Sequence, residues 1–182
     1  MRNIEIKAAI SDADAVKSKA QELSGSEPTI IQQVDTFYAN VSNGRLKLRE
    51  FSDGTGELIY YERPDTKGPK LSNYIRTKFN SKTACKEIDQ ILHQIHGHLG
   101  VVKKTRLLYI IGQSRVHIDD VSELGSFMEI EVVLRDDQDI HVGEEISNDL
   151  MAKLGITSDN LISTAYIDLL LKKANKDGTN KS

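Results

Sequence analysis

Three basic side chains alternate with leucines in the stretch RLKLRE, where Arg45, Lys47 and Arg49 occupy every second position. On a β-strand this spacing points the three positive charges to one face and the two leucines to the other. Like charges this close repel one another, so the arrangement predicts a negatively charged partner among them. The stretch SFMEIEVVL repeats the spacing with Glu129 and Glu131, which places two carboxylates about 7 Å apart on one face of a strand.

Carboxylates grouped in this way are ligands for hard divalent cations, whereas grouped arginines and lysines bind phosphate oxygens. Asp119 and Glu5 could add oxygens to the pair, so the predicted metal ligands are Glu5, Asp119, Glu129 and Glu131. All-oxygen ligation favours Mg²⁺ or Mn²⁺ as the cofactor. The sequence contains no Walker A loop. We therefore expect side chains, rather than a backbone loop, to hold a polyanion that the cation bridges.

Charge and composition exclude several other kinds of site. The 182 residues carry a net charge of −3, and the sequence pI is about 6.0, which argues against a nucleic-acid partner. Cys85 is the single cysteine, so neither an intrachain disulfide nor a thiolate metal cluster is possible. No apolar run approaches the roughly 20 residues that span a bilayer, and the first ten residues lack a signal-peptide core. We expect a cytoplasmic protein with no membrane partner.

Alternation of polar and apolar residues predicts about eight strands, separated by turn signals and a few helices. The strands are expected at residues 2–9, 29–38, 45–51, 57–63, 71–79, 101–111, 114–120 and 126–134. The helices are expected at 11–23, with Ser11 as the N-cap, and at 81–97, 139–155 and 158–174. This order predicts an α+β fold with a largely antiparallel sheet, in a single domain over residues 1–174 with a flexible tail over 175–182.

One face of nearly every predicted strand is charged and the other is apolar, which leaves two arrangements open. An open sheet would expose the charged face to solvent, whereas a closed barrel would enclose it around a water-filled interior. Two features favour the barrel: the helices have apolar stripes that need a surface to cover, and the charges are segregated by sign between strands. The basic residues expected to face the interior are Lys7, Arg45, Lys47, Arg49, Arg63, Arg76, Lys78, Lys104, Arg106 and Arg115.

Several motifs together resemble the CYTH proteins, the triphosphate tunnel metalloenzymes. They are IEIK near the N-terminus, GRLKLRE, the Lys104-x-Arg106 strand, RVHIDDVSELGSFMEIEV and LISTAYIDLL, and they span roughly residues 2–172. The class IV adenylyl cyclase-like branch is the most similar. The resemblance implies an eight-stranded antiparallel barrel whose tunnel binds a triphosphate through basic residues and a divalent metal through acidic ones.

The family's N-terminal signature, Glu-x-Glu-x-Lys, reads Asn3, Glu5 and Lys7 here, so an amide replaces the first carboxylate. The resemblance implies catalytic roles for Glu5, Lys7 and Glu131, and it assigns the acidic pair to Glu129 and Glu131 with Asp119 before it. It assigns the basic lining to Arg45, Lys47, Lys104, Arg106 and Arg115, whereas strand register alone adds Arg49, Arg63, Arg76 and Lys78. The replacement at Asn3 bears on the number or preference of metals more than on triphosphate binding.

Three functions remain open at this point. Hydrolysis of a nucleoside, thiamine or inorganic triphosphate is favoured, because a tunnel without further specialisation needs only water as the nucleophile. A class IV-type adenylyl cyclase, which forms cyclic AMP and pyrophosphate, would use the same lining. The replacement at Asn3 keeps a polyphosphate-binding module without turnover as a third alternative. The expected partner is a small-molecule triphosphate, and a homodimer is possible.

Four further residues have open interpretations. His117 shares its strand face with Asp119 and could contact phosphate, and one of Tyr60 and Tyr61 must face inward. Tyr166 in the last predicted helix could plug the tunnel or simply pack.

Overall fold

The computed structural model describes residues 1–179 of the chain. Within them, eight antiparallel strands with alternating polar and apolar side chains form a closed barrel. The strands are β1 (Arg2–Ala9), β2 (Thr29–Tyr38), β3 (Arg45–Phe51), β4 (Gly56–Glu62), β5 (Lys70–Phe79), β6 (His98–Ile111), β7 (Ser114–Val121) and β8 (Gly125–Leu134). Their order around the barrel is β1-β5-β4-β3-β2-β6-β7-β8, and β8 pairs with β1. The predicted α+β class and the closed alternative are confirmed.

The pairing of β1 with β8 closes the barrel and fixes which residues face inward. Glu5 lies opposite Glu131, and Lys7 lies opposite Glu129. Because side chains on a strand alternate between faces, the apolar residues between them, such as Ile6 and Ile130, point outward and are fully buried. The barrel therefore has a charged interior and an apolar exterior.

Four helices cover parts of that exterior in the described residues: α1 (Ala13–Ser24), α2 (Lys82–His96), α3 (Ile140–Leu154) and α4 (Tyr166–Thr179). Burial of their apolar stripes against the strands supplies the main driving force for this packing. Leu150 and Leu154 of α3 pack with the outward residues of β1, β7 and β8, while Cys85 and Leu92 of α2 pack against Leu48. None of the helices between residues 1 and 179 combines the length and apolar character needed to span a bilayer.

The start of α1 differs from the prediction by one residue. Asp12, not Ser11, is the N-cap, and its side chain accepts a hydrogen bond from the Ala15 amide at 3.0 Å. The carboxylate also lies at the positive end of the helix, which favours it over the hydroxyl as a cap.

The predicted helix over 158–174 is wrong in its first half. Ser158–Asn160 forms a short 3₁₀ turn, and the chain then runs beside the barrel, where Leu161 bridges to Ala8 and the Ile162 amide donates to the Lys7 carbonyl at 3.0 Å. Pairing with the edge of β1 satisfies backbone groups that a helix would otherwise have satisfied. The helix α4 continues to Thr179, so the first residues of the predicted flexible tail are helical, and residues 180–182 lie outside the described residues. The domain boundary at residue 174 stays a prediction.

Candidate active site

The interior of the barrel is a cavity of about 280 Å³, and about half of the residues that line it are charged. Residues from all eight strands contribute to its lining, together with Ala165 and Tyr166 at one end. The predicted site residues that line it are Glu5, Lys7, Lys47, Arg49, Arg63, Arg76, Lys104, Arg106, Arg115, Glu129 and Glu131. The alternation of the strands thus brings together cations and carboxylates that are far apart in the sequence.

Asp35 of β2 is the negative partner of the basic stretch on β3. Its carboxylate accepts hydrogen bonds from Arg49 Nε and Nη2 at 2.7 and 2.9 Å and from Lys47 Nζ at 2.7 Å. Asp35 is buried and lines the cavity. The sequence analysis missed this residue, although its position opposite Arg49 follows from the pairing of β2 with β3.

The surrounding charges shift the pKa values of Asp35 and Lys47 by different causes. Burial alone would raise the pKa of Asp35, but the charges of Arg49 and Lys47 hold it well below its ordinary value. Burial and the neighbouring Arg49 lower the pKa of Lys47 to about 8, despite the attraction of Asp35. Asp35 is therefore a carboxylate at neutral pH, whereas Lys47 loses its proton at a pH that is only slightly above neutral.

A second cluster surrounds Asp119, which is fully buried on β7. It accepts hydrogen bonds from Arg106 Nε and Nη2 at 2.6 Å each, from Lys104 Nζ at 2.8 Å and from the Tyr166 hydroxyl at 3.1 Å. Asp119 is not among the residues that line the cavity. Its assignment as a metal ligand stays a prediction, and the structure gives its oxygens three other partners. The ring of Tyr166 also lies beneath the ammonium groups of Lys7 and Lys104, at 3.9 and 4.8 Å.

The acidic pair of β8 forms a third cluster. Glu129 binds Lys7 Nζ at 2.9 Å and Arg106 Nη2 at 2.7 Å, and Glu131 binds Arg115 Nη2 at 2.8 Å. Burial alone would raise the pKa of Glu129, but the charges of Lys7, Lys104 and Arg106 hold it well below its ordinary value. Both carboxylates thus provide negative charge at neutral pH within a mainly cationic cavity.

His117 places a nitrogen beside these two carboxylates. Its Nδ1 lies 3.6 Å from Glu129 Oε2 and 3.9 Å from Glu131 Oε1, and the three residues offer ligand atoms within 4.8 Å of one another. Nδ1 is buried without a hydrogen bond. Burial and the charge of Arg106 lower the pKa of His117, so its ring is neutral at neutral pH. This donor set fits a divalent cation.

Glu5 and Asn3 extend the same wall along β1. The Glu5 carboxylate lies 3.4 Å from Arg63 Nη1, and the Asn3 side-chain oxygen is buried without a hydrogen bond. Both residues line the cavity. An unpartnered amide oxygen beside the acidic cluster is an additional neutral donor for a cation or a water bound to it.

Two predicted basic residues lie outside the cavity lining. Arg45 is bound by Asp65, with distances of 3.2 and 2.7 Å, and by Asp168 of α4 at 2.9 Å. Lys78 is exposed near the end of β5. Each lies an even number of residues from the inward-facing residues of its strand, so its side chain belongs to the inner face. Each also lies near a strand end, where the barrel opens. Their roles in triphosphate binding stay predictions.

Sequence reasoning also missed several neutral and acidic lining residues. They are Gln33, Glu57 and the apolar residues Ile31, Phe51, Ile59 and Leu108. Strand alternation could have found Phe51 and Leu108, because they lie two positions from the predicted site residues Arg49 and Arg106. Gln33 and Ile31 lie on β2, where no site residue was predicted. Tyr61 faces the cavity, whereas Tyr60 hydrogen-bonds to Glu62 outside it, which confirms that one of the two tyrosines faces inward.

Comparisons with known proteins agree with this architecture. The family model described as CYTH domain matches residues 1–166. A protein of Methanocaldococcus jannaschii that carries the name "putative adenylate cyclase" is 25% identical over 180 residues, which cover 93% of this chain and 98% of that protein.

Two solved structures show the same fold at lower identity. The PH1012 protein from Pyrococcus horikoshii OT3 superposes with a TM-score of 0.78 at 23% identity, over 92% of this chain and 98% of that one. The Hippeastrum protein HpAC1, described as a "putative adenylyl cyclase" with a dominant triphosphatase activity, gives a TM-score of 0.63 at 14% identity, over 95% of this chain and 96% of that one.

Proposed function

The chain belongs to the CYTH domain family, whose members are enzymes that act on triphosphates, and we propose on that premise that it is a divalent-metal-dependent triphosphatase. The substrate would be a compound with a linear triphosphate, and the products would be a diphosphate and inorganic phosphate.

The charge of the cavity is the single observation that carries this proposal. Among the described residues, eight lysines and arginines line the cavity together with five aspartates and glutamates. The positive charges therefore outnumber the negative ones in an enclosed space, where the interaction with a polyanion is stronger than in bulk water. A triphosphate carries about four negative charges, which is close to this surplus of three positive charges.

The residues that would hold the cation are Glu5, Glu129 and Glu131, with His117 beside them. When bound, a Mg²⁺ or Mn²⁺ ion would polarise the phosphate oxygens that it contacts. Glu131 has one oxygen, Oε1, that Arg115 does not bind, and this oxygen faces His117 Nδ1. The donor set therefore includes atoms that are already directed into the cavity.

The basic residues would do most of the remaining work. Arg49 and Arg106 present planar guanidinium groups that can bind two oxygens of one phosphate, whereas Lys7, Lys47 and Lys104 supply compact charges. Phosphoryl transfer passes through a loose transition state, so neutralising charge on the transferred group and the leaving group accounts for most of the catalysis. Glu5 and Glu131 would orient a water molecule in line with the bond that breaks.

Cyclisation of ATP is the second candidate, because the relative from M. jannaschii carries the name "putative adenylate cyclase". That reaction requires the ribose 3′-hydroxyl to be held in line with the α-phosphorus, with pyrophosphate as the leaving group. Hydrolysis needs only water as the nucleophile. We therefore place hydrolysis first.

Product identification tests both reactions in one experiment. ATP, thiamine triphosphate and inorganic tripolyphosphate are each incubated with the protein and Mg²⁺ or Mn²⁺, and the products are separated by ion-exchange chromatography. Release of inorganic phosphate supports the triphosphatase, whereas cyclic AMP with pyrophosphate would establish the cyclase instead. Tight binding without turnover under all conditions would contradict both and leave a polyphosphate-binding module.

A further inference from the structure

One carboxylate and two imidazole side chains meet on the outside of the barrel, where α2 ends and β6 begins. His98 Nε2 lies 2.9 Å from Asp89 Oδ1, and the rings of His93 and His98 are 4.2 Å apart at their centres. Asp89 and His93 are four residues apart on α2, a spacing that places two side chains on one face of a helix. These three residues, here called the α2 cluster, are not among those that line the barrel cavity.

Hydrogen bonds hold the backbone around the α2 cluster. The Gly97 amide donates to the His93 carbonyl at 2.8 Å and ends the helix, while the Gly97 carbonyl accepts from the Ala39 amide at 3.0 Å. The Asn40 side chain donates to the His96 carbonyl at 3.0 Å. The turn that joins α2 to β6 is therefore tied to the end of β2, so the cluster would lose little conformational freedom on binding a ligand.

Tyr38 of β2 orients the carboxylate of the cluster. Its hydroxyl donates to Asp89 Oδ1 at 2.7 Å, and burial together with Asp89 raises the pKa of Tyr38, so the hydroxyl keeps its proton. Hydrogen bonds of this kind fix the direction of a metal-ligating carboxylate. The side chains of His98 and Asp89 are 36% and 33% exposed, so an ion from solvent can reach both.

The geometry of the α2 cluster matches part of the ligand set of a transition-metal ion. Ligand atoms about 2.1 Å from a zinc ion lie about 3.0 to 3.4 Å from each other, close to the 2.9 Å between His98 Nε2 and Asp89 Oδ1. His93 is exposed, so its ring can turn toward the same point by a change of rotamer. Imidazole nitrogens beside a carboxylate favour Zn²⁺ and similar ions over Mg²⁺, which prefers oxygen ligands.

We propose that the α2 cluster binds a divalent transition-metal ion such as Zn²⁺, with Asp89, His93 and His98 as ligands and water in the remaining position. His98 Nε2 would bind the ion in place of its hydrogen, which the neutral ring then carries on Nδ1. The ion would join the end of α2 to the start of β6, which makes this a structural site. It is separate from the barrel cavity and does not depend on the proposed triphosphatase activity.

Titration with Zn²⁺ tests this site with a matched control. Isothermal titration calorimetry in excess Mg²⁺ would compare the wild type with His93→Ala, His98→Ala and His141→Ala. His141 is the control, because it lies on α3 with the Glu144 carboxylate 3.1 Å away and so offers a histidine and a carboxylate outside the cluster. We expect His93→Ala and His98→Ala each to weaken Zn²⁺ binding at this site at least about tenfold, because each removes one of three protein ligands. His141→Ala should bind as the wild type does.

Glu131→Gln separates this site from the carboxylates of the barrel. Any Zn²⁺ held beside Glu131 and His117 should be lost in that variant, whereas Zn²⁺ at the α2 cluster should remain. Zn²⁺ should also slow hydrogen exchange of the Gly97 amide, which donates to the His93 carbonyl, in the wild type and in Glu131→Gln alike.

Circular dichroism confirms that each variant is folded. The inference is overturned if His93→Ala and His98→Ala bind Zn²⁺ as the wild type does, or if His141→Ala loses as much affinity as they do. It is also overturned if the wild type binds no Zn²⁺, or if Glu131→Gln abolishes all Zn²⁺ binding.

Discussion

Asp35 and Arg49 face each other across β2 and β3 and form a two-point ion pair, with Nε–Oδ1 and Nη2–Oδ2 distances of 2.7 and 2.9 Å. A carboxylate thus occupies the guanidinium edge that a phosphate would use, because the two anions bind this group with the same geometry. Asp35 therefore occupies a position that a bound phosphate group would take. Triphosphate binding has to compete with Asp35 for Arg49 and Lys47, or to share them with it.

Asp35→Asn should lower the stability of the free protein and increase the stabilisation that tripolyphosphate provides. The variant leaves two largely buried cations, Lys47 and Arg49, without their counter-ion, which costs about 3 kcal/mol in the free energy of unfolding. A bound polyanion would then replace the lost charge without competition. Differential scanning fluorimetry measures both effects as a lower Tm and a larger upward shift with ligand.

Asp137→Asn is the matched control for that measurement, because the Asp137 side chain is 86% exposed. It should reproduce the wild-type Tm and the wild-type ligand shift. An Asp35→Asn protein whose ligand shift does not exceed that of the wild type would show that Asp35 does not compete with the phosphate chain.

Lys47 should make triphosphate binding depend on pH above neutrality. Burial and Arg49 lower its pKa to about 8 in the free protein, so Lys47 is charged below that pH and becomes neutral above it. A polyanion binds the charged form, so the affinity contributed by this group is complete below pH 8 and falls as the pH rises, and binding above pH 8 takes up a proton. Titration calorimetry at pH 8.5 in two buffers of different ionisation enthalpy measures that uptake.

Lys47→Arg should bind tripolyphosphate with less proton uptake, because a guanidinium stays charged at this pH. Lys78→Arg, at an exposed position outside the cavity lining, is the control and should behave as the wild type does. Equal uptake in the wild type and in Lys47→Arg would assign the titration to another group.

The barrel could be predicted because its signals are local. Most strands carry a two-residue alternation, and the grouping of Lys47 and Arg49 apart from Glu129 and Glu131 favoured closure over an open sheet. The predicted helix over 158–174 is wrong in its first half because a non-local contact determines the structure there. Its apolar spacing is helical throughout, but the start of the segment pairs with the edge of β1, a tertiary contact that no local pattern encodes.

The site residues were predicted from parity, that is, from the alternation of side chains between the two faces of each strand. This criterion has two limits. It gives the face on which a residue lies but not its depth along the barrel, which depends on the stagger between strands. Arg45 and Asp119 therefore have the expected parity, yet Arg45 binds Asp65 and Asp168, and Asp119 is enclosed by its own partners. Parity also weights every polar residue alike, so Asp35 was passed over among the polar residues of IIQQVDTFY.

Glu131→Gln should reduce turnover about a hundredfold or more while leaving the fold intact. The amide keeps the shape of the side chain but removes a negative charge from the donor set beside Glu129 and His117. Phosphate release measures the activity, and electron paramagnetic resonance of bound Mn²⁺ measures the metal affinity independently of activity. Both should fall together.

The control for this substitution is Glu145→Gln on the exposed face of α3, which should change neither reading. Full activity and unchanged Mn²⁺ binding in Glu131→Gln would remove Glu131 from the metal site and reduce the proposed donors to Glu5, Glu129 and His117.

Substitutions of Arg45 and Arg49 should separate two roles of the basic stretch, which are phosphate binding and contact with α4. Arg49→Gln removes a guanidinium from the cavity lining and should weaken tripolyphosphate binding at least about tenfold. Arg45→Gln removes a contact among β3, Asp65 and Asp168 of α4, so it should change that affinity less than about threefold. Because its ion pairs are partly exposed, we expect a stability loss of only about 1 kcal/mol.

The structural role of Arg45 has its own reading in hydrogen exchange. The Ala165 amide donates to Asp168 at 3.0 Å, and Arg45 holds the same carboxylate oxygen at 2.9 Å, so losing Arg45 should speed exchange in the first turn of α4. Arg49→Gln should leave that exchange unchanged. If Arg45→Gln instead weakens tripolyphosphate binding as much as Arg49→Gln does and leaves α4 protected, Arg45 contacts phosphate as its strand parity predicts. The ion pairs with Asp65 and Asp168 would then have to open when ligand binds.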